Sequence, residues 1–417
     1  MKKHRLLFVS DPAYPYSNTG FGIVSGQLLK GLVDCNQFEI AHLARGMGDA
    51  RGIIPPYRIY SPPAWDRNGY AYIATVIREE EPELIVIEAD PGSVSEWQKN
   101  PEVRNIPCLV HCPVEGAPLL SPWAESMAQV LLMKGRITCY TEFTKQTIIE
   151  AVEFILANFH KKAVSYSDIK VQWPELEVLG LGNDHADFGR NEERRLATRR
   201  RHDWNKNFVV MNVARNAGRK QWPRLFEAIA LLKDEFPQIL LYAHTVPFEN
   251  YFLQGHDLFG LRRYYGVEDY VVFKRDMVDP YNGIPYDGMV GETRETLADL
   301  YSGTDLFVAP TGGEGWNLPV IEAAKCGLPV VTTAYGGGWE VAKDFAYPLM
   351  PSDWQVDPHG MRFAMIKAED IAKAIKHFIL HPEELKERAQ MSIENADRFK
   401  WEPTVKRFTE IALEMVS

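Results

Sequence analysis

LFVAPTGGEGWNLPVIEAAKCGLPVVT, residues Leu306 to Thr332, is the stretch whose reading decides the fold. Leu306–Ala309 is an apolar run with the length of a short buried strand. A Gly-rich loop follows at Thr311–Gly315. A helix then starts at Leu318–Pro319, where the first turn tolerates proline's missing N–H. Gly327 stands past the last helical residue, and Pro329 blocks continuation before the next strand, Pro329–Thr332. Such a loop leaves backbone N–H groups unpaired at a helix N-terminus, where they and the helix dipole favour an anion. A carboxylate in the same loop, Glu314, suits hydroxyl donors instead. Glu322, eight residues on, has acceptor oxygens for the hydroxyls of a ribose.

The alternation of strand and helix continues outward in both directions. Arg5–Ser10, Ile40–Leu43, Leu84–Ile87, Cys108–His111 and Ile137–Tyr140 read as strands, with helices at Ile23–Leu32, Tyr70–Glu80 and Thr144–Phe159. The charged run Gly189–Asn207 interrupts the pattern, which then restarts. Phe208–Val213, Ile239–Ala243 and Val271–Phe273 are strands, and Trp222–Phe236 and Thr293–Gly303 are helices. Beyond Glu369 the pattern is amphipathic helix. Strands separated by helices imply parallel β-α-β units, so the fold class is α/β with two Rossmann-like domains facing across a cleft, residues 1–188 and 189–395. The carboxyl ends of parallel strands are where such domains take ligands.

At 417 residues the chain is too long for one ordinary core and suits two domains. Apolar residues at 46% and charged residues at 24% place it among soluble globular proteins. No run approaches the ~18 apolar residues that cross a bilayer, so no integral membrane segment is expected. MKKHRLLFVSD at the start reads as a strand because its apolar run is short and ends in Asp11. Five scattered cysteines point to a reducing, cytoplasmic setting. Cys108, His111 and Cys112 lie close together, but a structural zinc needs four ligands and no second pair follows, so no metal is expected. The net charge of −10 argues against non-specific nucleic-acid binding.

Glu314, seven residues, then Glu322 and AAKCGLPVV resemble the E-x7-E signature of retaining glycosyltransferases with the GT-B fold. FVVMNVARNAGRK, Phe208–Lys220, resembles the strand and loop that open that family's second domain, where Arg215 and Lys220 have the spacing of its diphosphate-binding pair and Arg219 is adjacent. Two cations after a strand suit a diphosphate whose charge grows as the sugar leaves. LVHCPVEGAPL resembles the first-domain strand end that carries a histidine near the reacting sugar, here His111. Thr19–Gly22 resembles the first β-α loop, with Gly20 and Gly22 letting the backbone approach the donor. Val178–Phe188 resembles the interdomain segment, with Leu181 where a histidine is usual, and FKWEPTVKRF resembles the closing helix, which gives residues 396–417 the role of packing back on the first domain.

The resemblance implies transfer of a sugar from a nucleotide diphosphate sugar, of UDP or GDP type, to an acceptor hydroxyl with retention. Glu314, His111, Arg215 and Lys220 would act at the reacting centre. Gly20, Gly22, Arg219, Gly313, Gly315, Trp316, Asn317, Leu318 and Glu322 would hold the donor, with Trp316–Asn317 replacing the family's usual Phe-Gly. No Asp-x-Asp pair occurs, so the basic residues take the place of a metal and no cofactor is implied. The acceptor is open: a glycan, a lipid, a small molecule or, as the rival reading, altered bases in DNA. A non-catalytic nucleotide-sugar binder is the other alternative.

Plainer readings stand beside these. Glu314 fits a simple helix-dipole partner, Glu322 a satisfied buried carboxylate, Arg215 and Lys220 surface charges, and His111 a core histidine. Asp90 before Pro-Gly fits a turn. Arg194–Arg201 fits a solvated helix with internal ion pairs or, more sharply, a phosphate-rich acceptor site. Lys161 and Lys162 are too thin a basic face for a membrane role, and Val271–Arg275, a place for the base to pack, does not choose between uracil and guanine.

Overall fold

The computed structural model describes residues 2–17, 19–46, 55–159, 176–183, 185–248, 255–274 and 293–417. The chain divides into two compact units. The first holds Met1–Gly182, Val356–Met361 and Lys400–Ser417; the second holds Asn183–Gln355 and Arg362–Phe399. The division at Gly182–Asn183 falls before the charged run that marks it in the sequence.

In the first unit the elements run β1 (His4–Ser10), α1 (Gly20–Asp34), β2 (Phe38–Ala44), β3 (Arg58–Tyr60), α2 (Ile73–Glu80), β4 (Leu84–Glu88), α3 (Pro91–Gln98), α4 (Pro101–Arg104), β5 (Cys108–Cys112), α5 (Trp123–Leu132), β6 (Arg136–Cys139), α6 (Glu142–Phe159) and β7 (Leu176–Val178). The strands form one sheet in the order β3-β2-β1-β4-β5-β6-β7, every pair parallel. Strands buried on both faces read as continuous apolar runs, as Leu84–Ile87 does.

Two local differences from the sequence pattern have simple causes. The helix expected from Tyr70 starts at Ile73, because the Asp66 carboxylate takes the N–H groups of Tyr70, Ala71 and Tyr72 at 3.0, 2.8 and 2.8 Å and holds them in a turn. Asp90 is an N-cap rather than part of a free turn: it accepts from Ser93 N at 2.9 Å, with Pro91 opening α3.

The second unit contains α7 (Glu192–His202), β8 (Phe208–Val213), α8 (Trp222–Leu232), β9 (Ile239–His244), α9 (Leu258–Tyr264), β10 (Val271–Val272), α10 (Arg294–Gly303), β11 (Leu306–Ala309), α11 (Leu318–Lys325), β12 (Val330–Thr333), α12 (Gly336–Ala342) and β13 (Tyr347–Leu349). The sheet order is β10-β9-β8-β11-β12-β13, again all parallel. Its core joins Trp222, Phe226 and Ile229 of α8 to Val210, Leu241, Val308 and Val331 of the strands. A ribbon of β14 (Asp353–Val356) and β15 (Arg362–Met365) precedes α13 (Ala368–Leu380) and α14 (Pro382–Ala396).

The last helix, α15 (Trp401–Glu414), belongs to the first unit. Arg407 binds the Glu177 carboxylate at 2.7 and 2.8 Å, and Thr404 Oγ1 donates to the Gly180 carbonyl. Phe408, Ile411 and Ala412 are fully buried, so the apolar stripe of α15 is part of that unit's core.

Candidate functional site

In the second unit the strand order reverses direction between β8 and β11, and the loops after these two neighbours are the ones the sequence singled out. Ligands of open α/β sheets bind outside the carboxyl ends of the strands at such a switch point. After β8, Gly218–Lys220 makes a single tight turn that presents Arg219 and Lys220. After β11, Thr311–Asn317 leads into α11.

The two loops meet through Glu314. Lys220 Nζ donates to Glu314 Oε1, and Thr311 Oγ1 donates to the same oxygen at 2.8 Å. Arg219 Nη1 lies 3.1 Å from Oε2 and 3.0 Å from the Gly313 carbonyl. Main-chain bonds fix the frame: Gly312 N donates to the Arg219 carbonyl at 2.6 Å, and Gly338 N to the Glu314 carbonyl at 2.9 Å. Burial pushes the Glu314 carboxyl up, but Lys220 and Arg219, with the hydrogen bonds from Lys220 and Thr311, outweigh it and bring the pKa down to about 2. Glu314 is therefore an anion held by two cations.

The loop ends at Asn317, whose φ of +79° turns the chain into α11 and whose side chain makes no capping bond. The first N–H groups of α11 are thus left without the usual side-chain acceptor. At the other end Gly327, at φ +81°, closes the helix, with Leu328 N bonded to the Ala323 carbonyl at 3.0 Å. Gly313, Gly315, Trp316 and Leu318 are buried in this loop, and Trp316 packs edge-on against Phe399.

One turn into α11, Glu322 is buried. Tyr301 OH donates to its Oε2 at 3.1 Å, and Arg294 Nη2 stands 3.7 Å from Oε1. Burial raises its pKa, against the pull of Arg294 and Tyr301. Arg215 is exposed; its carbonyl receives Trp222 Nε1–H at 3.2 Å. Arg219, rather than Arg215, joins Lys220 at Glu314.

The first-unit candidates sit differently. Gly20 is exposed and opens α1, while Gly22 is buried: a Cβ there would lie 2.7 Å from the Pro12 carbonyl oxygen, so only glycine fits. His111, expected near the reacting sugar, is buried in the sheet. It lies opposite Glu88 and Thr138 in the sheet, has no exposed surface, and packs against the rings of Tyr140 at 4.7 Å and Phe408 at 5.6 Å. Its Nδ1 is 2.8 Å from Thr138 Oγ1, and burial lowers its pKa to about 3. This is a core imidazole covered by α15. Three arginines of the Arg-rich run are paired within the unit, while Arg200 and Arg201 are exposed. Arg194 pairs with Asp299 at 3.0 Å, and Arg195 and Arg199 pair with Asp305 at 2.5 and 3.0 Å. Within the stretches named above, Met1, Lys161, Lys162, Asp184 and Arg275 lie outside the described residues.

Sequence reasoning missed Gly338, Arg294 and Tyr301. The run Gly336-Gly337-Gly338 after β12 carries a signal, since a Cβ on Gly338 would lie 2.9 Å from Glu314 Cβ. Arg294 and Tyr301 reach Glu322 from a different helix, which no local spacing reveals.

Residues 288–398 match the family model of glycosyl transferases group 1. Over 110 residues, 26% of this chain, the sequence is 32% identical to D-inositol 3-phosphate glycosyltransferase of Rhodococcus erythropolis, and the match spans only 22% of that relative's length. A broader match is to the Kribbella flavida protein of the same description, 24% identical over 62% of this chain and 56% of the relative. Among solved structures, Anabaena HepE in complex with UDP-glucose aligns over 98% of this chain and 99% of that one, at a TM-score of 0.65 and 14% identity. Sucrose-phosphate synthase from Thermosynechococcus elongatus aligns over 99% of both, at 0.67 and 16%. Residues 288–398 thus carry a stretch similar to glycosyl transferases group 1, and the chain as a whole shares the two Rossmann-like domains of the GT-B fold.

Proposed function

We propose that this chain transfers a sugar from a nucleoside diphosphate sugar to an acceptor hydroxyl, with retention and without a metal. The observation that carries the proposal is the buried Glu314 carboxylate held by Lys220 and Arg219 beside the uncapped start of α11. Two cations and a row of N–H groups match a diphosphate, while a carboxylate among them matches sugar hydroxyls.

On this reading Lys220 and Arg219 exchange Glu314 for the diphosphate when the donor enters. Glu314, released but still framed by the Gly312 and Gly338 main-chain bonds, accepts from the sugar hydroxyls. Glu322 accepts from the ribose. As the glycosidic bond breaks, negative charge grows on the leaving phosphate, and the two cations with the α11 N–H groups stabilise it. In a same-face transfer the leaving phosphate oxygen takes the acceptor's proton, so the protein supplies position and charge rather than a strong base. A UDP-sugar is the first donor to test, since HepE, whose fold this chain shares, is described in complex with UDP-glucose. The five cysteines are free thiols, which fits a reducing compartment such as the cytoplasm.

Thermal-shift screening against a panel of nucleotide sugars in EDTA tests this directly. A ligand that binds the folded state raises the midpoint by mass action. The expected result is stabilisation by one nucleotide sugar, lost in Lys220→Ala. Stabilisation that vanishes in EDTA and returns with added metal would remove the metal-independent reading. Stabilisation untouched by Lys220→Ala would move the donor site elsewhere.

A further inference from the structure

Trp65 is 76% exposed, which leaves a large apolar surface in water. It sits in the turn Ala64–Asp66, in the loop that follows β3. That turn is braced on both sides. Pro62 and Pro63 precede it with fixed φ, and the Asp66 carboxylate holds the N–H groups of Tyr70, Ala71 and Tyr72. Gly46 N donates to the Arg67 carbonyl at 3.0 Å, which ties the turn to the end of β2. A loose loop would let such a ring fold back onto the protein; this one keeps it out.

The loops after β3, β2, β1 and β4 stand in that order across the sheet, because these strands are neighbours and all parallel. Trp65 follows β3, Arg45 follows β2, Asp11 follows β1, and Asp90 and Ser93 stand at the start of α3 after β4. Three inter-strand steps of ~4.8 Å make the row about 14 Å long. Its polar members are oriented but not fully engaged. Arg45, 13% exposed, gives Nε–H to Asp11 and Nη1–H to Ser93, while Nη2 has no acceptor among the described residues and is not buried. Asp11, 19% exposed, accepts from Arg45 and from Thr19 Oγ1 at 3.0 Å. Asp90 is half-buried and, among the described residues, accepts only from Ser93. Each of these carboxylate oxygens has a lone pair left for a further donor.

The combination selects a ligand class. Two carboxylates around one guanidinium disfavour an anion, whereas hydroxyls find one donor and several acceptors. The apolar C–H face of a sugar ring stacks on an indole and leaves its hydroxyls free for hydrogen bonds alongside. The row is longer than one sugar ring. A membrane surface also suits an exposed tryptophan, but it calls for basic neighbours where this row has carboxylates. We propose that the acceptor is an uncharged saccharide chain lying along this row, with one ring stacked on Trp65 and hydroxyls of the rest on Arg45, Asp11 and Asp90. The proposal rests on the glycosyl-transfer reading above and makes Trp65 a specificity-determining residue.

An array of neutral and acidic glycans, probed with wild type in the presence and absence of UDP, tests the class, and NMR titration with the best-bound trisaccharide gives the magnitudes. The array should retain neutral glycans of more than one ring. The matching monosaccharide and its 6-phosphate should bind about tenfold more weakly or worse. Trp65→Ala, which removes an exposed ring and leaves the core untouched, should lose about tenfold for the trisaccharide and little for the monosaccharide. Trp65→Phe should recover most of that loss, since a ring is retained. An array that retains only acidic glycans, or none, overturns the proposal. Equal binding of monosaccharide and trisaccharide overturns it too, as does a Trp65→Ala variant that binds the trisaccharide like wild type. Binding to phosphatidylcholine vesicles that disappears in Trp65→Ala, with no glycan retained, would make the ring a membrane contact instead. The donor-site reading fails separately: nucleotide sugars that give no thermal shift, beside retained saccharide binding, overturn transfer while the saccharide site stands.

Discussion

Replacing Glu314 with Gln keeps the shape of the side chain and removes the charge that Lys220 and Arg219 share. The pKa of Glu314 falls from 4.5 to about 2 on folding. At 1.36 kcal/mol per pH unit, that amounts to ~3 kcal/mol of stability at neutral pH, as an order of magnitude. The side chains of Lys220 and Arg219 are 13% and 24% exposed, so water relieves part of the loss and the value sits at the low end for breaking a buried pair. The sign follows from the depressed folded value. The contribution is whole above pH 4.5 and disappears as the pH falls toward 2. Urea unfolding of the second unit, followed by tryptophan fluorescence between pH 7 and pH 3, should show wild type losing stability through that window and Glu314→Gln, already weaker at pH 7, losing less. The same variant leaves two cations uncompensated. Removing one negative charge about 5 Å away at an effective dielectric of ~20 is worth up to ~3 kcal/mol, so inorganic pyrophosphate should bind Glu314→Gln about tenfold tighter or more. Transfer should slow, because the sugar hydroxyls lose their acceptor. Parallel pH curves for the two proteins, or weaker pyrophosphate binding in the variant, would refute the ion-pair exchange.

The first unit has a separate acid weakness. Burial lowers both His42 and His111 from 6.5 to about 3, so each must be neutral in the folded unit and gains a proton on unfolding. Stability is complete above pH 6.5 and falls below it, by about 2 kcal/mol for each imidazole at pH 5. His111→Gln should reduce that slope in an acid titration followed by circular dichroism, while the folded variant keeps kcat/KM within a few-fold. A hundredfold loss of kcat in a well-folded variant would return His111 to the chemistry. Gly338→Ala brings a Cβ to 2.9 Å from Glu314 Cβ and forces the loop to move. It should lower kcat/KM for the donor by about tenfold or more, since small displacements at a site are costly, while shifting Tm by only a few degrees; unchanged kinetics would mean the loop tolerates the shift.

How far the sequence reaches depends on whether a residue acts within its own element. β11, α11 and the Gly327 stop were legible because apolar runs, Pro319 and Gly327 each act over a few neighbouring positions. Glu314 and Lys220 were legible only as members of patterns; that one grips the other is a consequence of β8 and β11 being neighbours in the sheet. Where the partner comes from a third element, local reasoning stops. Nothing in RETLADLYSG announces that Arg294 and Tyr301 converge on Glu322. His111 marks a second limit of local reading. The strand LVHC fixes where the residue lies along β5, but whether its side chain meets a ligand or a helix is decided by α15, nearly three hundred residues later in the chain.

The same distinction bears on the acceptor. On the proposed reading, the donor site draws on groups whose chemistry is visible one by one: cations for phosphate and carboxylates for hydroxyls. The first unit offers a more balanced surface at the carboxyl ends of its strands. There Arg45 is held between Asp11 at 2.5 Å and Ser93 at 2.8 Å, and Ser93 in turn donates to Asp90 at 2.8 Å. The coulombic pull on that arginine comes from Asp11, Asp90 and Glu88 together, so its charge is answered within the protein before any ligand arrives. A phosphorylated acceptor would have to compete with the Asp11 carboxylate for that guanidinium, whereas a neutral polyol would find both donors and acceptors already oriented. On the proposed function, an uncharged hydroxyl-bearing acceptor is the expectation from this end of the sheet, whereas relatives of this chain are described by a phosphorylated one.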